Sequence, residues 1–158
     1  MRTPSPVLKY VITIGITMLI GYASGMVTRD AIDTWYVTLN KPWFNPPNWI
    51  FGPVWSLLYI AMGVAAARVW IKAEGVALRR AMLAYGVQLL LNAFWSIAFF
   101  GMRSPELALV VIIALWLAIV WCLQRFKAID RPAAWLLVPY LLWVSFATLL
   151  NVAIVRLN

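Results

Sequence analysis

The sequence contains no histidine and one cysteine, and charged residues make up only 11% of its 158 residues. Without histidine, the chain lacks the commonest metal ligand, the commonest general base and the usual axial ligand of haem. Cys122 cannot form a disulfide within the chain, and its position in an apolar run predicts a small buried hydrophobe. Phosphate-binding loops, zinc signatures and paired carboxylates are also missing. We therefore expect no metal site and no resident cofactor.

Apolar residues are in excess, at 65% of the chain, where a soluble domain has roughly 45–50%. They form five uncharged runs, each near or above the roughly 17–25 residues that span a bilayer as a helix. The runs do not alternate as the strands of a membrane barrel do. The sequence therefore predicts an all-α integral membrane protein, a single domain over residues 1–158 made of five transmembrane helices. We expect these helices near residues 7–28, 46–71, 79–102, 105–126 and 132–156.

Proline marks the expected starts of three helices. An N-cap residue followed by proline in the first turn occurs at Asn45–Pro47, at Ser104–Pro105 and at Asp130–Pro132. Pro139 lies inside the fifth apolar run, where proline removes a backbone hydrogen bond. We expect it to kink the fifth helix.

The longest connection, residues 29 to about 45, is rich in aromatic residues and proline. An aromatic belt at the membrane interface would account for the tryptophans and tyrosines. A belt alone would not need the prolines of Lys41–Pro42 and Pro46–Pro47, which hold a loop in one shape at low entropic cost. We expect an ordered loop that covers a pocket, with the plain belt as the alternative, and we expect Asp30 and Asp33 to be solvated loop residues.

The basic residues are unequally shared between the two ends of the predicted bundle. This asymmetry places the N-terminus in the cytoplasm and the C-terminus outside. No cluster supports binding of nucleic acid, so we assign the charge to topology and to contact with lipid head groups. The expected location is a bacterial cell membrane, with an outer membrane as the alternative. Nine basic residues lie at one end (Arg2, Lys9, Arg68, Lys72, Arg79, Arg80, Arg125, Lys127 and Arg131) and four at the other (Arg29, Lys41, Arg103 and Arg156).

Three predicted helices each carry a mixed stripe of aromatic and polar side chains. Spacings of 3 or 4, 7 or 8, and 11 residues place the members of a stripe on one helical face. Taken singly, these residues are better explained by packing or by hydrogen bonds between helices than by contact with a ligand. If the three converge, they line a cavity suited to a flat and largely apolar ligand. The stripes are Phe51, Trp55, Tyr59 and Met62; Gln88, Asn92, Trp95, Ser96 and Phe99; and Tyr140, Trp143, Ala147, Thr148 and Asn151.

The apolar runs carry two further signals. Gly21 and Gly25 form a GxxxG pattern, which permits close helix approach either within the bundle or between two copies of the chain. No charged residue lies inside any run, and ion- or proton-coupled transporters usually keep one there. Coupled transport is therefore disfavoured, while passive flux stays open.

These motifs resemble the TspO family, known as tryptophan-rich sensory proteins in bacteria and as the translocator protein or peripheral benzodiazepine receptor in mitochondria. The similar stretches are WYxxLxKPxxxPPxW at Trp35–Trp49, QLLLNAFWSIAFFG at Gln88–Gly101 and PYLLWVSFATLLN at Pro139–Asn151. The resemblance covers nearly the whole chain, with five helices in the same order. It implies a five-helix bundle with a pocket beneath the first loop, often in a homodimer.

The resemblance also implies ligands. Family members are associated with tetrapyrroles such as protoporphyrin IX and with synthetic isoquinoline and benzodiazepine ligands. Light-dependent porphyrin degradation is attributed to tryptophans that match Trp55 and Trp143. Some members bind cholesterol and carry a tyrosine followed by an arginine near the C-terminus. Here no tyrosine precedes Arg156 in that pattern, which puts sterol recognition in doubt. The reversed cholesterol pattern does match over Arg80–Val87. The pocket residues of the family correspond to Tyr36, Trp55, Asn92, Trp95, Trp143 and Ala147.

The resulting hypothesis is a membrane receptor or sensor that binds tetrapyrroles in an intramembrane aromatic pocket and regulates porphyrin handling. The alternatives are a light-dependent porphyrin-degrading enzyme, with Trp55 and Trp143 as its catalytic residues, and a transporter of porphyrin or sterol. The predicted ligand contacts are Tyr36, Trp55, Tyr59, Gln88, Asn92, Trp95, Phe99, Tyr140, Trp143, Ala147 and Asn151.

Overall fold

Five long helices run through residues 4–158, the part of the chain described by the computed structural model. No strand occurs within this part, and each helix is long and apolar enough to cross a membrane. The predicted five-helix membrane bundle is thereby confirmed. The helices are α1 (Pro6–Thr34), α2 (Asn48–Lys72), α3 (Gly75–Ser96), α4 (Pro105–Lys127) and α5 (Arg131–Leu157).

The helices pack as a ring rather than in chain order. Helix α1 packs on α2, α2 on α5, α5 on α4 and α4 on α3, and a lighter contact between α3 and α1 closes the ring. Most of the buried side chains lie where α2, α3, α4 and α5 meet, and a smaller cluster lies beneath the loop that joins α1 to α2. This arrangement leaves room between α1 and its neighbours at the loop end of the bundle.

Helix α1 extends to Thr34, beyond the end predicted near residue 28. Asp30 and Asp33 are therefore exposed helix residues, and their assignment to a loop is wrong. The charges do not end the helix, because the Trp35 N–H still donates to the carbonyl of Ala31 at 3.0 Å. The loop proper is shortened to residues 35–47.

The proline-marked helix starts have different outcomes. Ser104 caps α4 as predicted, and its Oγ accepts the Leu107 N–H at 3.4 Å. Asn45 does not cap α2, because Pro47 holds the cap position and Asn45 turns back into the loop. Helix α5 continues through Pro139, and the kink there stays a prediction.

Asp130 holds the cap position of α5 but its carboxylate does not cap the helix. Instead it accepts hydrogen bonds from Arg68 Nε and from Lys72 Nζ, each at 2.6 Å. The hydrogen bond from Arg68, aided by the one from Lys72, holds the pKa of the Asp130 carboxyl below its usual range even though the residue is buried. This ion pair ties α2 to the turn between α4 and α5.

Helix α3 ends in a π-helical turn, Ile97–Gly101, instead of continuing as a regular helix to residue 102. The turn is closed by the Met102 N–H, which donates to the carbonyl of Ile97 at 2.7 Å. Such wider turns are rare and often lie at functional sites. Here the turn carries Phe99 and Phe100, two consecutive side chains that both face the cavity described below.

Helices α1 and α2 are in close backbone contact at Gly63. Its carbonyl accepts a hydrogen bond from Thr13 Oγ1 at 2.8 Å. A β-carbon at Gly63 would lie 2.6 Å from the Cα atom of Ile14, which is closer than real side chains allow. The absence of a side chain at residue 63 therefore sets the distance between the two helices.

Candidate ligand-binding cavity

A cavity of about 550 Å³ lies in the half of the bundle next to the loop. Its walls come from α1, α2, α3 with its π-helical turn, and α5, while the loop closes one end. The three stripes expected from helical spacing do converge on this space. Eight of the predicted contact residues line it: Tyr36, Trp55, Tyr59, Trp95, Phe99, Trp143, Ala147 and Asn151.

The other three predicted contacts, Gln88, Asn92 and Tyr140, are not part of the cavity wall and lie fully buried beneath it. The Tyr59 hydroxyl donates to Asn92 Oδ1 at 2.7 Å, and Asn92 Nδ2 donates to Tyr140 Oη at 3.0 Å. The Tyr140 hydroxyl in turn donates to Gln88 Oε1 at 2.9 Å. Tyr59 thus links the cavity to a polar chain inside the bundle, and direct ligand contact by the three deeper residues stays a prediction.

Aromatic rings form much of the cavity wall. Trp55 and Tyr59 are stacked, with ring centroids 5.5 Å apart and an interplanar angle of 26°. The Trp143 ring meets Phe51 edge to face at 6.0 Å. These contacts fix the rings, so that a flat ligand would meet preformed aromatic surfaces.

Two of the lining residues are held in place by hydrogen bonds. The indole N–H of Trp95 donates to Asn151 Oδ1 at 3.2 Å, and Asn151 Nδ2 donates to the carbonyl of Pro105 at 2.8 Å. The Asn151 amide therefore joins α3 to the start of α4, and it sets the orientation of the Trp95 ring.

The loop over the cavity is ordered, as predicted. Tyr36 begins a short 3-10 helix and points inward, with 3% of its surface exposed. Its hydroxyl donates to Asn45 Oδ1 at 2.7 Å, and burial raises the pKa of Tyr36 to about 12. Lys41 Nζ donates to the Tyr36 carbonyl at 2.7 Å and lies 4.9 Å from the centre of its ring. The protonated phenol and the ammonium group thus hold the loop around Tyr36.

The loop is also fastened to the end of α5. The Asn40 N–H donates to Asn158 Oδ1 at 2.9 Å, and Asn158 Nδ2 donates back to the Asn40 carbonyl at 3.0 Å. Asn40 Nδ2 adds a bond to the carbonyl of Leu157 at 3.2 Å. Sequence reasoning missed this contact, and no local pattern signals it, because the partners are 118 residues apart.

Helix α1 supplies a wall that sequence reasoning missed. The lining residues of α1 do recur at helical spacing, which could have indicated a common face. Their side chains are too mixed in character to form an aromatic stripe like those of the other helices. Gly21 packs against the Tyr59 ring, so this glycine serves packing within the bundle, whereas a β-carbon at Gly25 would meet nothing within 4 Å. The lining residues of α1 include Met18, Gly21, Tyr22, Gly25, Arg29 and Ile32.

The open side of the cavity lies between the loop-end halves of α1 and α2. Lining residues there are largely exposed, with Tyr22 at 71% on α1 and Trp49 at 74% on α2. Gly25 and Gly52 also line the cavity, and a β-carbon at either position would meet nothing within 4 Å. A ligand could therefore reach the cavity from the side, through the apolar layer that surrounds the helices.

Comparison with known proteins agrees with this architecture. The family model of the TspO/MBR family matches residues 13–157 of the chain. The chain belongs to the TspO/MBR family. The resemblance seen in the sequence motifs is thereby confirmed, and with its five spanning helices this TspO/MBR protein is a multi-pass integral membrane protein.

Relatives of this TspO/MBR protein come from bacteria, archaea and animals. It is 43% identical over 156 residues to the tryptophan-rich protein TspO of Chlorobaculum tepidum, covering 96% of this chain and 97% of that one. It is 43% identical over 126 residues to the tryptophan-rich sensory protein of Cereibacter sphaeroides, covering 80% and 78%. It is 39% identical over 127 residues to the translocator protein of Homo sapiens, covering 78% and 75%.

Proposed function

We propose that this TspO/MBR protein is a membrane receptor or sensor that binds a tetrapyrrole such as protoporphyrin IX and regulates porphyrin handling. Family membership supports the sensor or receptor role. The observation that supports the ligand is the convergence of three aromatic stripes on one cavity of about 550 Å³ beneath an ordered loop. That volume falls within the roughly 300–1,000 Å³ of small-molecule sites. A flat macrocycle is the shape that stacks on such walls.

Titration of the purified protein in lipid nanodiscs with protoporphyrin IX tests this proposal. We expect saturable quenching of tryptophan fluorescence together with a shift of the porphyrin absorption band, because Trp55, Trp95 and Trp143 line the cavity. Empty nanodiscs are the control for partition into lipid. Quenching that rises linearly, as it would with partition alone, would contradict a binding site.

A light-dependent porphyrin-degrading enzyme is the second candidate, and the presence of both Trp55 and Trp143 in the cavity wall favours it. Binding shifts the absorption band of the porphyrin, whereas turnover under light produces a new pigment. Illumination of the same titrated sample therefore separates the receptor from the enzyme.

Replacement of Trp143 tests whether this indole contacts the ligand. We expect Trp143→Phe to weaken protoporphyrin IX affinity about two- to threefold, the lower end of the roughly 0.5–1.5 kcal/mol that aromatic pairs contribute, because phenylalanine keeps an aromatic face. Any light-dependent degradation should slow or stop, because phenyl is a poorer electron donor than indole. The matched control is Trp135→Phe, which removes one tryptophan from an exposed position outside the cavity. If affinity and photochemistry both equal wild type in a folded variant, Trp143 serves packing only.

We also propose that the N-terminus lies in the cytoplasm and the C-terminus outside, in a bacterial cell membrane. The support for this orientation is the asymmetry of basic residues between the ends of the bundle. Arg2, one of the basic residues in that count, lies outside the described residues. A periplasmic-type reporter fused after Asn158 should be active, and the same reporter inserted at Glu74, between α2 and α3, should be inactive. A cytoplasmic signal at Asn158 would refute the orientation.

Three further partners are proposed: synthetic ligands, a sterol and a second copy of the chain. Synthetic isoquinoline or benzodiazepine ligands would occupy the cavity and compete with porphyrin in the titration above, and a sterol is the least supported ligand. A homodimer in the bilayer is proposed from the family resemblance, and native mass spectrometry from nanodiscs would test it.

A further inference from the structure

The cavity has one charged lining residue among those that the structure describes. Arg29 lies on α1 one turn beyond Gly25, at the loop end of the open side between α1 and α2. The remaining lining residues are apolar, aromatic or neutral and polar. A single cation at one edge of an apolar cavity makes that edge different from the rest, and this gives a bound ligand a preferred orientation.

Arg29 has no acidic partner within residues 4–158. The ion pairs in that part of the chain are those of Asp130 with Arg68 and Lys72, at the other end of the bundle. Asp33 stands four residues after Arg29, where a helical ion pair could form, yet the two side chains are not within ion-pair distance. The adjacent Asp30 forms no ion pair with Arg29 either. The guanidinium group is therefore available to another anion.

We propose that Arg29 binds an acidic group of the ligand, so that the cavity selects flat apolar molecules carrying a carboxylate at one edge. This inference rests on the function proposed above and adds a residue that determines specificity. Guanidinium matches the geometry of a carboxylate with two parallel hydrogen bonds, and such charged bonds are about twice as strong as neutral ones. The acidic edge would face the loop end, where α1 leaves the apolar layer, and the apolar edge would lie toward Tyr59.

The test compares protoporphyrin IX, which carries two carboxylates, with its dimethyl ester, which carries none. Both are titrated in uncharged nanodiscs against wild type and Arg29→Gln. We expect Arg29→Gln to weaken binding of the acid about tenfold, equivalent to about 1.4 kcal/mol, and to leave ester affinity unchanged within about twofold. Arg29→Lys keeps the charge but loses the paired geometry, so it should recover part of the affinity for the acid.

Two controls separate a local contact from general attraction. Arg156→Gln removes an exposed cation at the same end of the bundle and outside the cavity, and it should leave both affinities unchanged. Higher salt should weaken binding of the acid to wild type more than to Arg29→Gln, because screening acts on the charge pair. Melting temperatures confirm that each variant is folded.

The outcomes distinguish this inference from the function on which it rests. If both ligands saturate wild type and Arg29→Gln changes their affinities equally or not at all, selection of the acid by Arg29 is refuted while the tetrapyrrole site stands. If neither ligand saturates wild type, the proposed function itself fails and the inference fails with it. Loss confined to the acid supports both.

Discussion

Ala147→Phe should reduce the affinity for protoporphyrin IX at least about tenfold, equivalent to about 1.4 kcal/mol. Ala147 lines the cavity on α5, one helical turn from both Trp143 and Asn151. Its small side chain leaves room for a flat ligand between helices, and a phenyl ring would fill that room. Fluorescence titration and thermal melting on the same sample measure the effect.

The melting temperature decides what the loss of affinity means. If Ala147 packed against a neighbouring helix, the added ring would cost roughly 1–3 kcal/mol of stability. Because it borders open space, we expect the melting temperature to change little. Leu149→Phe is the matched control, since Leu149 lies on the same helix with 64% of its surface exposed and outside the cavity. Wild-type affinity in folded Ala147→Phe would contradict the placement and move the site toward the loop alone.

The spanning helices and part of the cavity wall, the part on α2, α3 and α5, were predictable from the sequence. An uncharged run of sufficient length has few folds available in lipid, because each backbone polar group must be bonded within its own helix. Helical period then assigns each side chain to a face, which places Trp55, Trp95 and Trp143 each on the mixed aromatic and polar face of its own helix. Both inferences depend on local geometry, and neither needs the position of a partner.

Depth within the bundle was not predictable in the same way. Gln88 and Asn92 share a face with Trp95, yet they lie beneath the cavity while Trp95 lines it. The period gives the direction of a side chain around the helix, but the height of a cavity along the axis depends on what the neighbouring helices leave empty. The polar chain from Tyr59 to Tyr140 follows from that packing.

Contacts between segments far apart in the chain could not be predicted from the sequence either. Asp130 fits a helix cap by local pattern, but Arg68 and Lys72 on α2 offer its carboxylate two cationic partners. A carboxylate gains more from two cationic donors than from one uncharged backbone N–H, so the distant partners prevail. Asn40 shows the same limit, since its partner Asn158 is brought to the loop only by the packing of α5.

The glycines show most clearly that a sequence motif does not determine which residue lies at a close helix contact. In the GxxxG motif of Gly21 and Gly25, only Gly21 makes a close contact, and its neighbour is the ring of Tyr59. Of the glycines, Gly63 is the one whose β-carbon would meet backbone atoms of another helix, and it lies in no GxxxG motif. Small residues allow close helix approach, but which of them does so depends on where the partner helix crosses.

Gly63→Leu should therefore destabilise the bundle by about 3 kcal/mol, at the upper end of the cost of overpacking. A β-carbon there would lie 2.6 Å from Ile14 Cα and 3.0 Å from Ile14 N, both backbone atoms that cannot rotate away. Helices α1 and α2 would have to separate, which would also break the hydrogen bond from Thr13 Oγ1 to the Gly63 carbonyl. Unfolding by titration with SDS measures the free energy of unfolding.

Gly15→Leu on α1 is the matched control, because a β-carbon there would meet nothing within 4 Å. Leucine is favoured over glycine inside a helix by nearly 1 kcal/mol, so this control should be neutral or slightly stabilising. The two variants make the same chemical change, and only Gly63→Leu is expected to lose stability. Since α1 and α2 both line the cavity, folded Gly63→Leu should also bind protoporphyrin IX more weakly than Gly15→Leu does. Equal stability of the two variants would show that α1 can shift without cost, and the contact at Gly63 would then not set the spacing of the cavity walls.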